Sequence, residues 1–192
     1  MSEEIVDILM AQILENPPYS WFPSSEQVVS EIISRADIQP RDWVLDVCAG
    51  DGRLGLAARE LGARVEAIEI EPRFRQILFQ QGLVLVGADV FQSEPKRLYD
   101  VVLSNPPFSF SPENRGVDLA IIQHAYRCFL ASGGCLVSVV SASHKFAKCP
   151  KAEAFRAWMQ QVEAELVDLP LEAFWGTVRP VTVESWLVVA RK

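Results

Sequence analysis

Long apolar runs are missing from this 192-residue chain, and the longest, such as Cys135 to Val140, fall far short of the roughly 20 residues that a bilayer-spanning helix requires. A membrane-spanning helix is thereby excluded. The start, Met1-Ser2-Glu3-Glu4, lacks the basic and then apolar character of a secretory signal, so export is not expected and a cytoplasmic setting is. Histidine is scarce, with two in the chain, and the four cysteines (Cys48, Cys128, Cys135, Cys149) include no CxxC pair, so neither a disulfide framework nor a zinc or other metal site is expected. Repeats, low-complexity tracts and a domain-separating linker are also lacking, and 192 residues suit one sizeable core, so a single domain is expected over residues 1–192.

Positive charge is in short supply, with a formal net charge of −7, which argues against a general nucleic-acid coat because such proteins cover phosphates with Lys and Arg. The deficit is confined to the first half: residues 1–96 carry 8 basic and 16 acidic side chains, whereas residues 97–192 carry 10 and 9. Within the second half, His144, Lys145, Lys148, Lys151 and Arg156 gather against Glu153 alone. That cluster reads equally as a cationic edge beside a site or as a solvated loop and helix start.

What is present is an alternation of periods. Ile5, Ile8, Leu9 and Ile13 share a helical face that Pro17-Pro18 ends, and Ser24 or Ser25 can cap a second helix through Val28, Val29, Ile32 and Ile33. Together these form an N-terminal helical segment, 1–40, expected to pack on the ligand side of an α/β core, 41–192. From Trp43 onward, short β-branched runs at 43–47, 64–70, 83–86, 99–103 and 135–140 alternate with helix-length segments at 54–61, 72–81 and 117–130. A helix around 152–162 then precedes two last strands at 165–169 and 185–190. Strand alternating with helix predicts a doubly wound, Rossmann-like, mostly parallel seven-stranded sheet with helices on both faces.

In such a sheet, ligands sit at the carboxyl ends of the strands. The first strand there delivers Asp46-Val47-Cys48-Ala49-Gly50-Asp51-Gly52, a strand, an acidic residue and two glycines directly before a helix. Glycine there permits close approach of a ligand to backbone, or else only close packing of helix on strand. The second strand ends in Glu69, at about the 20-residue interval after the loop at which a carboxylate can accept from ribose hydroxyls. Glu71 competes, but Pro72 should open the next helix and leave Glu71 as its cap. The third strand delivers Asp89, Val90 and Phe91, an acceptor beside flat apolar walls that suit an adenine ring, or simply a turn Asp beside a core Phe.

This order resembles the cofactor pocket of class I S-adenosylmethionine-dependent methyltransferases. The resemblance implies that Asp46, Cys48, Ala49, Gly50 and Gly52 hold the methionine end, Glu69 the ribose, and Asp89 with Val90 and Phe91 the adenine. Asn105 would lie against the cofactor too.

The fourth strand runs into Ser104-Asn105-Pro106-Pro107-Phe108. Two consecutive prolines stiffen the turn, so the Asn105 side chain and the Pro106 carbonyl are held in fixed directions. Two fixed acceptors can grip the two hydrogens of a planar NH2 and aim its nitrogen at an electrophilic methyl group, with Phe108 as a flat stacking face. The tetrapeptide resembles the signature of amino-methyltransferases, above all the adenine N6 enzymes of DNA and RNA, and also enzymes acting on glutamine amides.

By that resemblance Asn105, Pro106, Pro107 and Phe108 are the catalytic set. Trp21 to Val28 is either a cover over the methionine moiety or a hydrophobic staple, and Phe174 packs against the target base with Trp175 as core behind it. Lys145 and Lys148 would contact substrate, and the loops 109–116 and 144–151 are candidates for recognition. The chain ends without the separate target-recognition domain that the DNA enzymes carry. Adenine in DNA is the expected substrate, with adenine in RNA or a protein glutamine amide as alternatives. A specificity partner, or a role as the cofactor-binding subunit of a larger complex, is the remaining alternative.

Overall fold

The computed structural model describes residues 2–94, 96–108 and 115–192. Seven strands form one sheet: β1 (Trp43–Val47), β2 (Arg64–Ile68), β3 (Val84–Gly87), β4 (Tyr99–Ser104), β5 (Leu130–Ser141), β6 (Glu165–Asp168) and β7 (Ser185–Arg191), in the order β3-β2-β1-β4-β5-β7-β6. All neighbours from β3 to β5 run parallel, and β7 pairs antiparallel with both β5 and β6. The chain moves outward in one direction from β1 to β3 and then restarts at β4 on the other side of β1. That reversal opens a crevice at the carboxyl ends of β1 and β4.

The central strands read as continuous apolar runs because both faces are covered. One face carries α2 (Glu26–Ala36) and α3 (Arg53–Glu60), whose Val28, Ile32, Leu54 and Ala58 pack with Val44, Leu103 and Val137. The other carries α5 (Val117–Cys128) and α7 (Pro150–Gln161), which pack Ile122, Phe129 and Phe155 on Leu45, Val102 and Leu136. At roughly 25 cal/mol per Å² of apolar surface removed from water, burying a Phe or Ile side chain contributes on the order of 1.5–3 kcal/mol. α1 (Ser2–Glu15) lies on α4 (Pro72–Gln80) through Leu9, Ile13, Phe74 and Ile77.

Two details depart from the sequence reading. β5 begins at Leu130 and not at Cys135, because Leu130 pairs with Tyr99 ahead of the Gly133-Gly134 step, where the ladder to β4 shifts register. A Cβ on Gly134 would stand 2.8 Å from the Asp100 carbonyl oxygen, so glycine lets the strand run on past its neighbour. The stretch expected as a loop at 144–151 contains a one-turn helix, α6 (Ser143–Phe146), and α7 opens at Pro150. Most of the loop expected at 109–116 lies outside the described residues.

Candidate active site

The carboxyl end of β1 turns through three left-handed positions, Cys48 (φ 61°), Gly50 (φ 55°) and Gly52 (φ 85°). The Cys48 and Ala49 amides donate to the Ile68 carbonyl at 3.0 and 3.2 Å, tying the loop to β2. At Gly50 a side chain would be strained on two counts, because the backbone is left-handed and a Cβ would stand 2.9 Å from Trp21 Nε1. Gly52 is left-handed and closely packed, a Cβ there standing 2.7 Å from the side-chain ends of Leu78 on α4 and of Gln81 just after it.

Glu69 is buried at the end of β2 and spans the loop: Oε2 accepts from the Gly50 amide at 2.7 Å and Oε1 from the Glu71 amide at 2.8 Å. Burial raises its pKa, against the lowering effect of those two amides. Glu71 caps α4, accepting from the Arg73 amide and from Arg73 Nε at 2.6 Å, and the Arg73 hydrogen bond lowers its pKa. Asp89 accepts from the Phe91 amide and Gln92 Nε2, both at 2.9 Å, with Val90 buried and Phe91 exposed beside it.

At the end of β4, Ser104 Oγ donates to the Val47 carbonyl at 2.9 Å, clamping the Asn-Pro-Pro-Phe corner to β1. The Asn105 amide nitrogen is committed: Nδ2 donates to Ser24 Oγ at 3.0 Å and to the Phe22 carbonyl at 3.4 Å. A carbonyl can only accept, so this pairing fixes which end of the amide is nitrogen and leaves Oδ1 as an acceptor with no partner among the described residues. Ser25, one residue on, caps α2 by accepting from the Val28 amide at 3.1 Å, and its hydroxyl donates to the Ala173 carbonyl. Of the two serines read as alternative caps, Ser25 takes that role, and Ser24 is thereby available to hold the Asn105 amide.

These parts surround one cavity of about 400 Å³. Cys48, Gly50 and Glu69 form one side, Asp89, Val90 and Phe91 a second, and Asn105, Pro106, Pro107 and Phe108 a third. Trp21 roofs it, tilted against Phe74 at 4.9 Å between ring centroids, so the segment before α2 lies across the glycine loop.

Several expected residues sit elsewhere. Asp46 is buried beneath the loop, where Oδ2 accepts from the Gly55 amide at 2.9 Å; because its N-cap is the side-chain-free Gly52, α3 takes its cap from β1. Its Oδ1 has no partner among the described residues, and burial pushes its pKa up to about 8. Ala49 packs into the core and Gly52 faces α4, so neither lines the cavity. Lys145 and Lys148 are exposed outside it, on and just after α6. The aromatic pair is reversed: Phe174 is 2% exposed and forms part of the cavity floor, whereas Trp175, expected as core, is 54% exposed and bonds Thr182 Oγ1.

Sequence reasoning missed the residues that brace the roof. Arg179 donates to the Trp21 carbonyl and lies 4.6 Å over the Phe22 ring. Arg53 bridges Asp51 at 2.7 Å and the Ser24 carbonyl at 3.1 Å. Both stand in segments whose local pattern says only loop or exposed helix face, and the roof carbonyls they hold are remote in the chain.

The model of the Methyltransferase small domain family matches residues 25–165. The chain belongs to that family. A tRNA1(Val) (adenine(37)-N6)-methyltransferase of Dyadobacter fermentans is 31% identical over 99 residues, which is 46% of this chain and 41% of that protein. A mitochondrial ribosomal RNA small subunit methyltransferase of Arabidopsis thaliana is 27% identical over 96 residues, 46% of this chain and 25% of that protein. This family member thus spans well under two thirds of those curated relatives. Among solved structures, coclaurine N-methyltransferase bound to N-methylheliamine and SAH superposes with a TM-score of 0.63 at 12% identity, covering 98% of this chain and 78% of the other. That likeness shows a shared class I methyltransferase fold.

The cofactor of this fold class is S-adenosylmethionine, and the residues present fit it. The loop backbone is open at Gly50 on the cavity side, and the Glu69 and Asp89 carboxylates each retain lone pairs beyond the two backbone or amide bonds they accept. The preference for DNA finds no support among these curated relatives, which are named for transfer and ribosomal RNA.

Proposed function

We infer that this chain transfers a methyl group from S-adenosylmethionine to the exocyclic amino group of adenine in RNA. The observation that carries the reading is the orientation of Asn105, whose nitrogen is spent on Ser24 and Phe22 so that Oδ1 is the free acceptor at a cavity that Glu69 and Asp89 also border. Gly50, Glu69 and Asp89 would hold the methionine end, the ribose and the adenine of the cofactor. When bound, it supplies an electrophilic methyl group on a sulfonium.

The chain's own contribution is positioning. Asn105 Oδ1 and the Pro106 carbonyl accept the two hydrogens of the substrate amine, which turns the nitrogen lone pair toward the methyl carbon and needs no strong base before attack. Phe108, half-buried at the cavity, supplies the stacking face, while Phe174 is too enclosed for more than floor contact. RNA is favoured over duplex DNA because unpaired adenines in RNA are presented without the cost of opening a helix. The RNA names of the curated relatives support the same choice.

The test is incubation with methyl-labelled cofactor and separated RNA, DNA and protein, followed by nucleoside and amino-acid analysis. Label in N6-methyladenosine is expected. Label confined to DNA or to glutamine would replace the substrate, and cofactor binding without transfer would favour a subunit role.

A further inference from the structure

Phe146 is 73% exposed, although the backbone around it is held on both sides. Before it, His144 Nε2 lies 2.8 Å from Oδ2 of the fully buried Asp118, on the helix whose Val117 and Ile121 line the cavity. After it, Arg156 Nη1 donates to the Ala147 carbonyl at 3.0 Å and also to that of His144 at 2.5 Å. A large aromatic side chain on a pinned turn, one residue pair away from the cavity wall, is presented outward by the fold rather than left loose.

Its own segment is rich in cations, while neighbouring elements bring two exposed acidic residues close: Asp168, paired with Trp186, and Glu184, whose carbonyl accepts from the Ala142 amide. Lys145 Nζ stands 4.5 Å above the Trp186 ring and 5.7 Å from that of Phe146, Lys148 is exposed two residues further on, and Glu153 is the sole acidic residue between positions 142 and 156. Lys151 is turned away, donating to the Arg115 carbonyl at 2.9 Å. A flat ring flanked by ammonium groups suits a nucleobase face with its adjoining phosphates, because every base stacks and every linkage is anionic. α6 directly follows β5, the neighbour of β4, so the ring stands at the same sheet edge as Asn105.

Resting on the nucleic-acid reading above, we propose that Phe146 is a stacking platform for an unpaired nucleotide next to the target base, with Lys145 and Lys148 on the flanking phosphates. Fluorescence anisotropy with a labelled RNA hairpin carrying an adenine-containing loop, measured in S-adenosylhomocysteine, tests this without turnover. Phe146→Ala is expected to weaken binding about 5- to 100-fold and Phe146→Trp to retain it. Lys145→Ala and Lys148→Ala are each expected to lower the slope of log affinity against log salt by about 0.7.

Unchanged binding in Phe146→Ala, equal dependence on Phe146 for a fully paired duplex, or no measurable binding by the wild-type chain would overturn the proposal. Equal dependence with single-stranded DNA of the same sequence supports the platform as a reader of unpaired bases and leaves the choice between RNA and DNA to the methyl-incorporation assay. Methyl incorporation, read separately, reports on the function proposed above: Phe146-dependent binding without transfer into any fraction would reject that function and leave the platform standing.

Discussion

Asn105 shows how much one side chain depends on its neighbours. An amide has a donor and an acceptor end of nearly equal shape, and Ser24 with the Phe22 carbonyl decides which end is free. Asn105→Ala should lower methyl incorporation by about 10²–10³-fold or more while calorimetry finds cofactor affinity within about 2-fold of wild type. Ser24→Ala should lower kcat by about 10-fold, by leaving the amide free to rotate, with little change in cofactor affinity. A merely structural serine would instead lower the melting temperature and leave kcat alone. Asp46 makes a prediction of a different kind. Its buried carboxyl, with a pKa raised from 3.8 to about 8, keeps a proton that the unfolded chain has already released, so this group makes stability fall as pH rises across that interval and level off above it. Asp46→Asn keeps an oxygen for the Gly55 amide and cannot ionise. Its thermal stability relative to wild type should therefore rise with pH up to about 8, and parallel melting curves for the two proteins across that range would refute the assignment.

At the scale of elements, the roof segment 17–25 has no strand and one turn of 3-10 helix, so its position is set by pins from elsewhere. Arg179 holds Trp21 and Phe22, Arg53 holds Ser24, and Ser25 reaches Ala173. Arg179→Ala should loosen Trp21 over Gly50 and weaken cofactor binding about 10-fold, measured by calorimetry, with a smaller effect on kcat. The helices and strands themselves were legible because their signals are local: the Pro72 start of α4, the Ser25 cap of α2 and the β-branched runs all act within one turn or one strand. The early start of β5 was not legible, since Leu130 to Gly134 lack strand character and are drawn into the ladder by Tyr99.

For the whole molecule, β7 is the strand that joins β5 to β6, and its antiparallel pairing runs the length of Cys135 to Ser141. Deleting residues 184–192 would remove β7 and bare the edge of β5 from Cys135 to Ser141, so the truncated chain should lose its cooperative thermal transition by circular dichroism and aggregate. By itself the sequence determined the alternation of strand and helix, the glycine loop after β1, the carboxylates after β2 and β3, and the rigid Asn-Pro-Pro-Phe corner after β4. Each of these is a local pattern of spacing or of proline and glycine stereochemistry, which made the fold class legible, while the methyl-transfer chemistry came from the family that these motifs resemble. Only the tertiary structure decided that Asp46 caps a helix, that Phe174 is enclosed while Trp175 is exposed, and that Asn105 offers its oxygen. Those outcomes rest on partners far apart in the chain, Ser24 and Asn105 being 81 residues apart, and burial and hydrogen-bond direction exist only once such segments have met.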